Sequence, residues 1–211
     1  MIIALLVASL LSAAAPIDKR CEPLRTPLRV RLTIATGEWR GAEPVIRRLV
    51  EDSWQPTGLQ IDWVDDPGAQ WNAIDFWIAV VHTPATTDED DVLGFVRFDG
   101  DQPNPLARVS IDAALMWAQR YHARRLKKAP GELRRLDDYR PDLVHRVLGY
   151  TAAHEMGHFV LATKSHAWSG LMKASYRQPE TMSDPKSWRL DGGNVLRLRQ
   201  RIAGACVAQA P

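Results

Sequence analysis

This chain is short of cysteine, of net charge and of long apolar runs, and each shortage narrows what it can be. Only 2 of its 211 residues are cysteines, Cys21 and Cys206, so one disulfide at most is available and a hydrophobic core has to hold the fold. The apolar content of 45% is sufficient for that, and the length fits one domain of ordinary size. Charges nearly cancel, at a formal net of +2, so the chain as a whole carries no electrostatic footprint for nucleic acid. Basic residues do gather from Arg120 to Arg146, but Glu132, Asp137, Asp138 and Asp142 are interleaved with them, the composition of a solvated helical face and loop. Beyond the first residues, charged side chains interrupt every apolar run before it reaches the roughly 20 residues of a membrane span. No internal repeat or low-complexity segment is present.

The opening MIIALLVASLLSAAAP is apolar and ends in small residues, the pattern of a secretory leader cleaved near Ala13 to Ala15. It departs from the usual leader in having no Lys or Arg before the apolar run. The expectation is a leader over residues 1–15 and a single domain over 16–211, secreted or periplasmic, with no membrane anchor after cleavage. In such an oxidising compartment the economical reading of Cys21 and Cys206 is one disulfide joining the two ends of the mature chain.

Periodicity supplies the elements. Leu28–Thr36 alternates apolar and charged residues as a half-buried strand does, and Ala42–Ser53 sets Val45, Ile46, Leu49 and Val50 at helical spacing. Leu59–Asp65 reads as a second strand. The nearly continuous apolar run Ala73–His82 reads as a central strand covered on both faces. An acidic stretch, Thr86–Asp91, lacks the spaced ligands and glycine of a calcium loop and reads as a solvated connection. Val92–Asp99 and Ala107–Asp112 follow as strands, separated by the turn-rich GDQPNP. Ala113–Lys128 is helix-like, and Pro141 opens a further helix running through Ala162. The order predicts an α+β fold, with a less regular tail.

That last helix carries the chemistry. His154 and His158 are four residues apart, about 40° in azimuth on a helix, so both rings leave the same face. Two imidazoles so placed can share one zinc ion, and the adjoining Glu155 can reach a water on it as general base. A catalytic zinc takes three protein ligands and keeps one position open. His166, eight residues after His158, is the natural third, reached if the chain turns back through Thr163, Lys164 and Ser165. Glu180 is a rival: it opens a Glu180-x-x-x-Asp184 pattern, but between Pro179 and Pro185, poor surroundings for a helix. His82, His122 and His145 read as ordinary surface or core histidines.

His154-Glu155-x-x-His158, a third histidine downstream, and then Ser169-Gly170-Leu171-Met172 resemble the metzincin clan of zinc endopeptidases, whose metal site rests on a tight turn bearing methionine. The resemblance spans roughly Leu28 to Cys206, and its specific part is His154 to Met172. It implies a twisted mixed sheet of about five strands packed on helices, an active-site helix followed by a methionine turn at Met172, and a C-terminal helix. It further implies one catalytic Zn2+ on His154, His158 and His166, and Glu155 as general base. The substrate would be a peptide or protein, bound antiparallel along Val92–Asp99 as the sheet edge. Tyr176, four residues past Met172, is a candidate to stabilise the oxyanion. Leu161 and Lys164 stand where the clan has a glycine and its third ligand, so the helix has to end differently and the branch is a divergent one, matrixin-like or archaemetzincin-like. Cys21, in KRCEP, superficially resembles the cysteine with which some such enzymes hold themselves latent, but the segment before the first strand is too short for a pro-domain.

Two other readings stay open at this point. One is a catalytically inactive zinc-binding protein of the same fold. The other is a polyanion-binding module built on the basic helix around Arg124 to Lys128.

Overall fold

In a computed structural model of the chain, residues 23–83, 92–126, 141–174 and 185–205 are described. The first strand, β1 (Leu28–Ile34), buries Leu28 and Val30 and leaves Arg29 and Arg31 half exposed, as its alternation requires. Helix α1 (Glu43–Trp54) starts with Pro44 in its first turn and buries Ile46, Leu49, Val50 and Trp54. It crosses over to the short β2 (Ile61–Trp63), which pairs parallel with β1. The remaining strands are β3 (Phe76–Val81), β4 (Gly94–Asp99) and β5 (Gln102–Ser110). Three helices follow: α2 (Ile111–Leu126), α3 (Pro141–Val160) and α4 (Gly192–Ile202).

The strands form one five-stranded sheet in the order β2-β1-β3-β5-β4. Four strands run parallel, and β4 alone is antiparallel, at the edge. On one face of the sheet Leu28, Val30, Phe76, Ile78, Val80, Ala107 and Val109 are buried together with α1 and α3 in one hydrophobic cluster. The two helices approach closely at Gly149: a Cβ there would lie 2.8 Å from Leu49 Cδ1 and 3.3 Å from Ile46 Cα. No helix among the described residues is long and apolar enough to cross a membrane.

Several boundaries differ from expectation, each for a physical reason. β3 is central, but only alternate residues, Phe76, Ile78 and Val80, are buried. Its other face carries Trp77, whose indole N–H donates to Thr33 Oγ1 (2.9 Å) and whose ring lies under the Arg31 guanidinium. Large aromatics there make a half-exposed face read as a continuous apolar run. β5 begins at Gln102, inside the stretch that reads as a turn, because Gly100, at φ 59°, closes a tight β4–β5 hairpin. Pro103 and Pro105 are tolerated there because β3 pairs with β5 only from Leu106 onward, leaving the proline-bearing part with β4 alone as neighbour and a register shift between Val96 and Phe98. Ile111 and Asp112 belong to α2 rather than to the strand. The tail, less regular by periodicity though the resemblance implies a C-terminal helix, contains α4, capped by Asp191 Oδ1 accepting from the Asn194 N–H (3.0 Å).

Candidate metal centre

Helix α3 passes beneath the sheet with every residue from Val147 to His158 buried, which is why its sequence shows no polar face. Inside this apolar surround are three polar residues that burial should disfavour: His154 at 8% exposed, Glu155 at 5% and His158 at 7%. The ring centroids of His154 and His158 lie 4.9 Å apart. His166 comes over both, at 5.3 Å from His154 and 4.9 Å from His158. One nitrogen from each of the three lies within 4.8 Å of the others, the one such grouping of histidine, cysteine and carboxylate side chains among the described residues.

Backbone carbonyls orient two of the rings. His154 Nδ1–H donates to Leu171 O (2.6 Å) and His158 Nδ1–H to Thr163 O (2.7 Å). These bonds select the tautomer in which Nε2 carries the lone pair, the arrangement that outer-shell partners impose on zinc-ligating histidines. The Thr163 carbonyl is delivered by the way α3 ends. Thr163 N–H bonds back to His158 O (3.2 Å) and Ala162 N–H to Phe159 O (3.1 Å), a Schellman pattern with Ala162 in the left-handed region at φ 45°. The left-handed residue thus falls one position after Leu161, and the chain gains one further residue before His166. Arg201 of α4 donates to the last carbonyls of α3, at 2.6 Å from Val160 O and 3.2 Å from Phe159 O.

The Leu171 carbonyl is delivered by a second turn. Ala167 N–H donates to Met172 O (2.7 Å) and Lys173 N–H to Gly170 O (3.1 Å), closing a tight loop over residues 167–173. Gly170 takes φ 75°, and a Cβ there would collide with Arg189 O, so no other residue fits. Met172 is buried at 1% with its sulfur against Gly157, where a Cβ would overlap it and would also stand 3.4 Å from Trp54 Cη2. Gly157 lies on the helical turn between His154 and His158, so the methionine packs directly under the ligand-bearing segment.

Electrostatics fit the geometry. Burial, the neighbouring His158 and His166 together depress His154 to a pKa of about 4, opposed only by its bond to Leu171 O. His158 is lowered by burial and, further, by His166, while its bond to Thr163 O opposes the shift; burial alone lowers His166. All three are neutral near pH 7, the state that binds a metal. Burial pushes Glu155 up to about 8, partly offset by a hydrogen bond from the Val96 backbone N–H. Three neutral imidazoles with a carboxyl group beside them match the donor set of a catalytic zinc site.

The residues read from sequence divide clearly. His154, His158 and His166 are brought together, Glu155 stands beside them, and Met172 lies in a tight turn under the helix. Tyr176, Glu180, Cys21 and Cys206 lie outside the described residues, as do most of the basic stretch and the acidic run Thr86–Asp91. Trp168 is 99% exposed on the turn between His166 and Met172, so it does not serve as packing. Sequence reasoning missed the two carbonyl acceptors and Arg201. It also missed the contact of the β4 end with the ligand loop: Phe98 meets His158 edge-on at 6.4 Å, and Lys164 sits 5.4 Å above the Phe98 ring.

A comparison with protein-family models finds no match, and neither does one with curated proteins. Among solved structures, the chain is similar to an archaemetzincin from Methanopyrus kandleri, with a TM-score of 0.47 and 14% identity over 89% of this chain and 99% of that one. A superposition that loose says nothing about chemistry, which depends on where individual side chains lie.

Proposed function

We propose that this chain is a zinc-dependent endopeptidase of a divergent metzincin type, secreted or periplasmic. One observation carries the reading: three imidazoles converge, buried His154 and His158 with exposed His166, two of them held by backbone carbonyls in the tautomer that presents Nε2, beside the buried carboxyl group of Glu155. His154, His158 and His166 would hold the metal. Zn2+ bound there supplies Lewis acidity, lowering the pKa of a water and polarising a carbonyl.

The remaining roles belong to the chain. Glu155 accepts the proton of the attacking water and returns it to the leaving amine. Its apolar surround keeps it from being solvated, so its basicity responds to the charge of its immediate neighbours rather than to bulk water. The antiparallel edge strand β4 runs alongside α3 and offers its outer side to an extended peptide, a form of strand addition. Tyr176 remains the candidate for stabilising the oxyanion.

Metal content by mass spectrometry on the purified mature protein, beside His166→Ala, tests the reading first. The expected result is one zinc per wild-type chain and an affinity loss in the variant exceeding the roughly 10- to 100-fold typical of removing an outer-shell partner. No zinc in the wild type after reconstitution would end the proposal. Zinc lost from Glu180→Ala but retained by His166→Ala would reassign the third ligand. If zinc is present, a peptide library then tests for cleavage.

A further inference from the structure

The turn that orients His154 also carries a tryptophan that the fold does not use. Trp168 is 99% exposed, whereas the other exposed large apolar side chains among the described residues, Trp71, Val92 and Leu196, stand at 58% or less. Trp71 has a partner, its ring lying 4.5 Å from that of Trp77. Trp168 covers none of its surface, and a tight turn ordinarily takes small or polar residues at its tip. An exposed large apolar residue is the informative kind of exception, and this one adjoins the metal centre.

The ring is presented from a loop that is already ordered. Ala167 packs against the hydrophobic cluster before it, and Leu171 and Met172 are buried at 0% and 1% after it. Leu171 N–H donates to Arg189 O (2.9 Å), and Leu171 O accepts from His154. The loop is thus pinned both to the segment before α4 and to a candidate ligand. A side chain docking on the indole has no loop to order, and only the two torsions of the tryptophan have to be fixed.

Position sets what can reach it. Trp168 is two residues after His166, so their Cα atoms lie no more than about 7 Å apart. An extended peptide advances about 3.3 Å per residue, so one with its scissile carbonyl at the metal brings a side chain from within about two residues of that bond to the ring. Charge favours an apolar side chain there. Residues 163–173 hold Lys164 and Lys173 and no acidic residue, and Asp101 of the β4–β5 hairpin is taken by Lys164 at 3.5 Å. Two lysines beside a divalent cation oppose a cationic side chain over the indole.

We propose that Trp168 is a specificity-determining residue of this site: its indole face receives a large apolar side chain, aromatic or long aliphatic, from a substrate residue close to the bond that is cut. This deepens the peptidase reading and rests on it.

A peptide library cleaved by the zinc-loaded full chain, wild type beside Trp168→Ala, tests the assignment. Zinc content and urea midpoint are expected to be equal in the two proteins, because the exposed indole packs against nothing. Wild type is expected to favour Phe, Leu or Met over Ala at one position near the scissile bond by about tenfold or more in kcat/KM, and the variant to lose that preference mainly through KM. Trp168→Phe, which keeps a ring, should retain most of it. A second readout needs no turnover. In zinc-loaded Glu155→Gln, the indole N–H resonance that Trp168→Phe lacks should shift on adding the preferred peptide and stay in place with its Ala counterpart. An equal preference in wild type and Trp168→Ala, or an unmoved resonance, overturns the proposal. So does a Trp168→Ala chain that loses zinc or unfolds at lower urea, which would make the ring structural. A wild-type dimer that Trp168→Ala dissolves with its preference intact also overturns it, giving the ring to a second copy. A wild-type chain that holds zinc and cleaves no peptide sinks the peptidase reading and this assignment with it; cleavage with a profile indifferent to Trp168 sinks the assignment alone.

Discussion

His154 and His82 each hold an oxygen through Nδ1, at 2.6 Å and 3.0 Å, but the oxygen belongs to the Leu171 carbonyl in one case and to the Asp112 carboxylate in the other. The difference extends to the second nitrogen. His82 Nε2 lies 3.8 Å from Glu38, so both of its nitrogens face carboxylates, and its side chain is 42% exposed. His154 is buried, and the ring opposite its tethered nitrogen faces two further imidazoles. A hydrogen bond to Nδ1 is common to both. What distinguishes a candidate ligand from a surface ion pair is what the other nitrogen meets and whether water competes for it.

The largest effect that sharpens this contrast is expected at Glu155. Glu155→Gln should retain zinc and lose about 10² to 10⁴ in turnover, the scale of a positioned acid-base group, measured as kcat on any cleaved peptide. Undiminished turnover would remove Glu155 from the mechanism. Next comes the packing under the site. Gly157→Ala drives a methyl into the Met172 sulfur and should cost about 1–3 kcal/mol in urea unfolding, despite alanine's better helix propensity. A gain in stability would mean that Met172 is held loosely.

Smaller again, and of opposite sign, is Ala162→Gly. Alanine at φ 45° pays for a left-handed conformation that glycine adopts without strain, so the variant should gain about 1 kcal/mol in the same measurement while keeping its zinc. A destabilised variant would show that the Ala162 methyl makes contacts worth more than the strain. The smallest effect belongs to the other histidine. His82→Ala should change stability by less than about 1 kcal/mol and leave metal stoichiometry unaltered. A fall in zinc content would break the comparison.

Much of the site is legible in the chain because ligands are side chains and helical spacing is a covalent rule. His154 and His158 share a face wherever residues 141–160 are helical, and Glu155 follows by adjacency. The edge strand was legible in position but less so in extent. The hairpin at Gly100 and the two prolines of β5 read as loop because proline's missing donor is harmless only where one neighbour strand is absent, and a linear sequence does not state which neighbours a strand has. The expectation that β3 is covered on both faces failed in the same way, since Trp77 satisfies an apolar pattern while lying on the open face.

The sequence by itself determined two histidines on one face of α3 with a glutamate beside them, a third histidine downstream, the glycine at 170 and the methionine two residues later. Those are properties of residue type and local spacing. Only the tertiary structure decided which nitrogen each buried histidine presents and that Arg201 supports the end of the ligand helix. Each of these depends on a backbone carbonyl or N–H brought from a distant part of the chain. Every residue but proline carries the same two backbone groups, so nothing in the sequence marks the few that will be used.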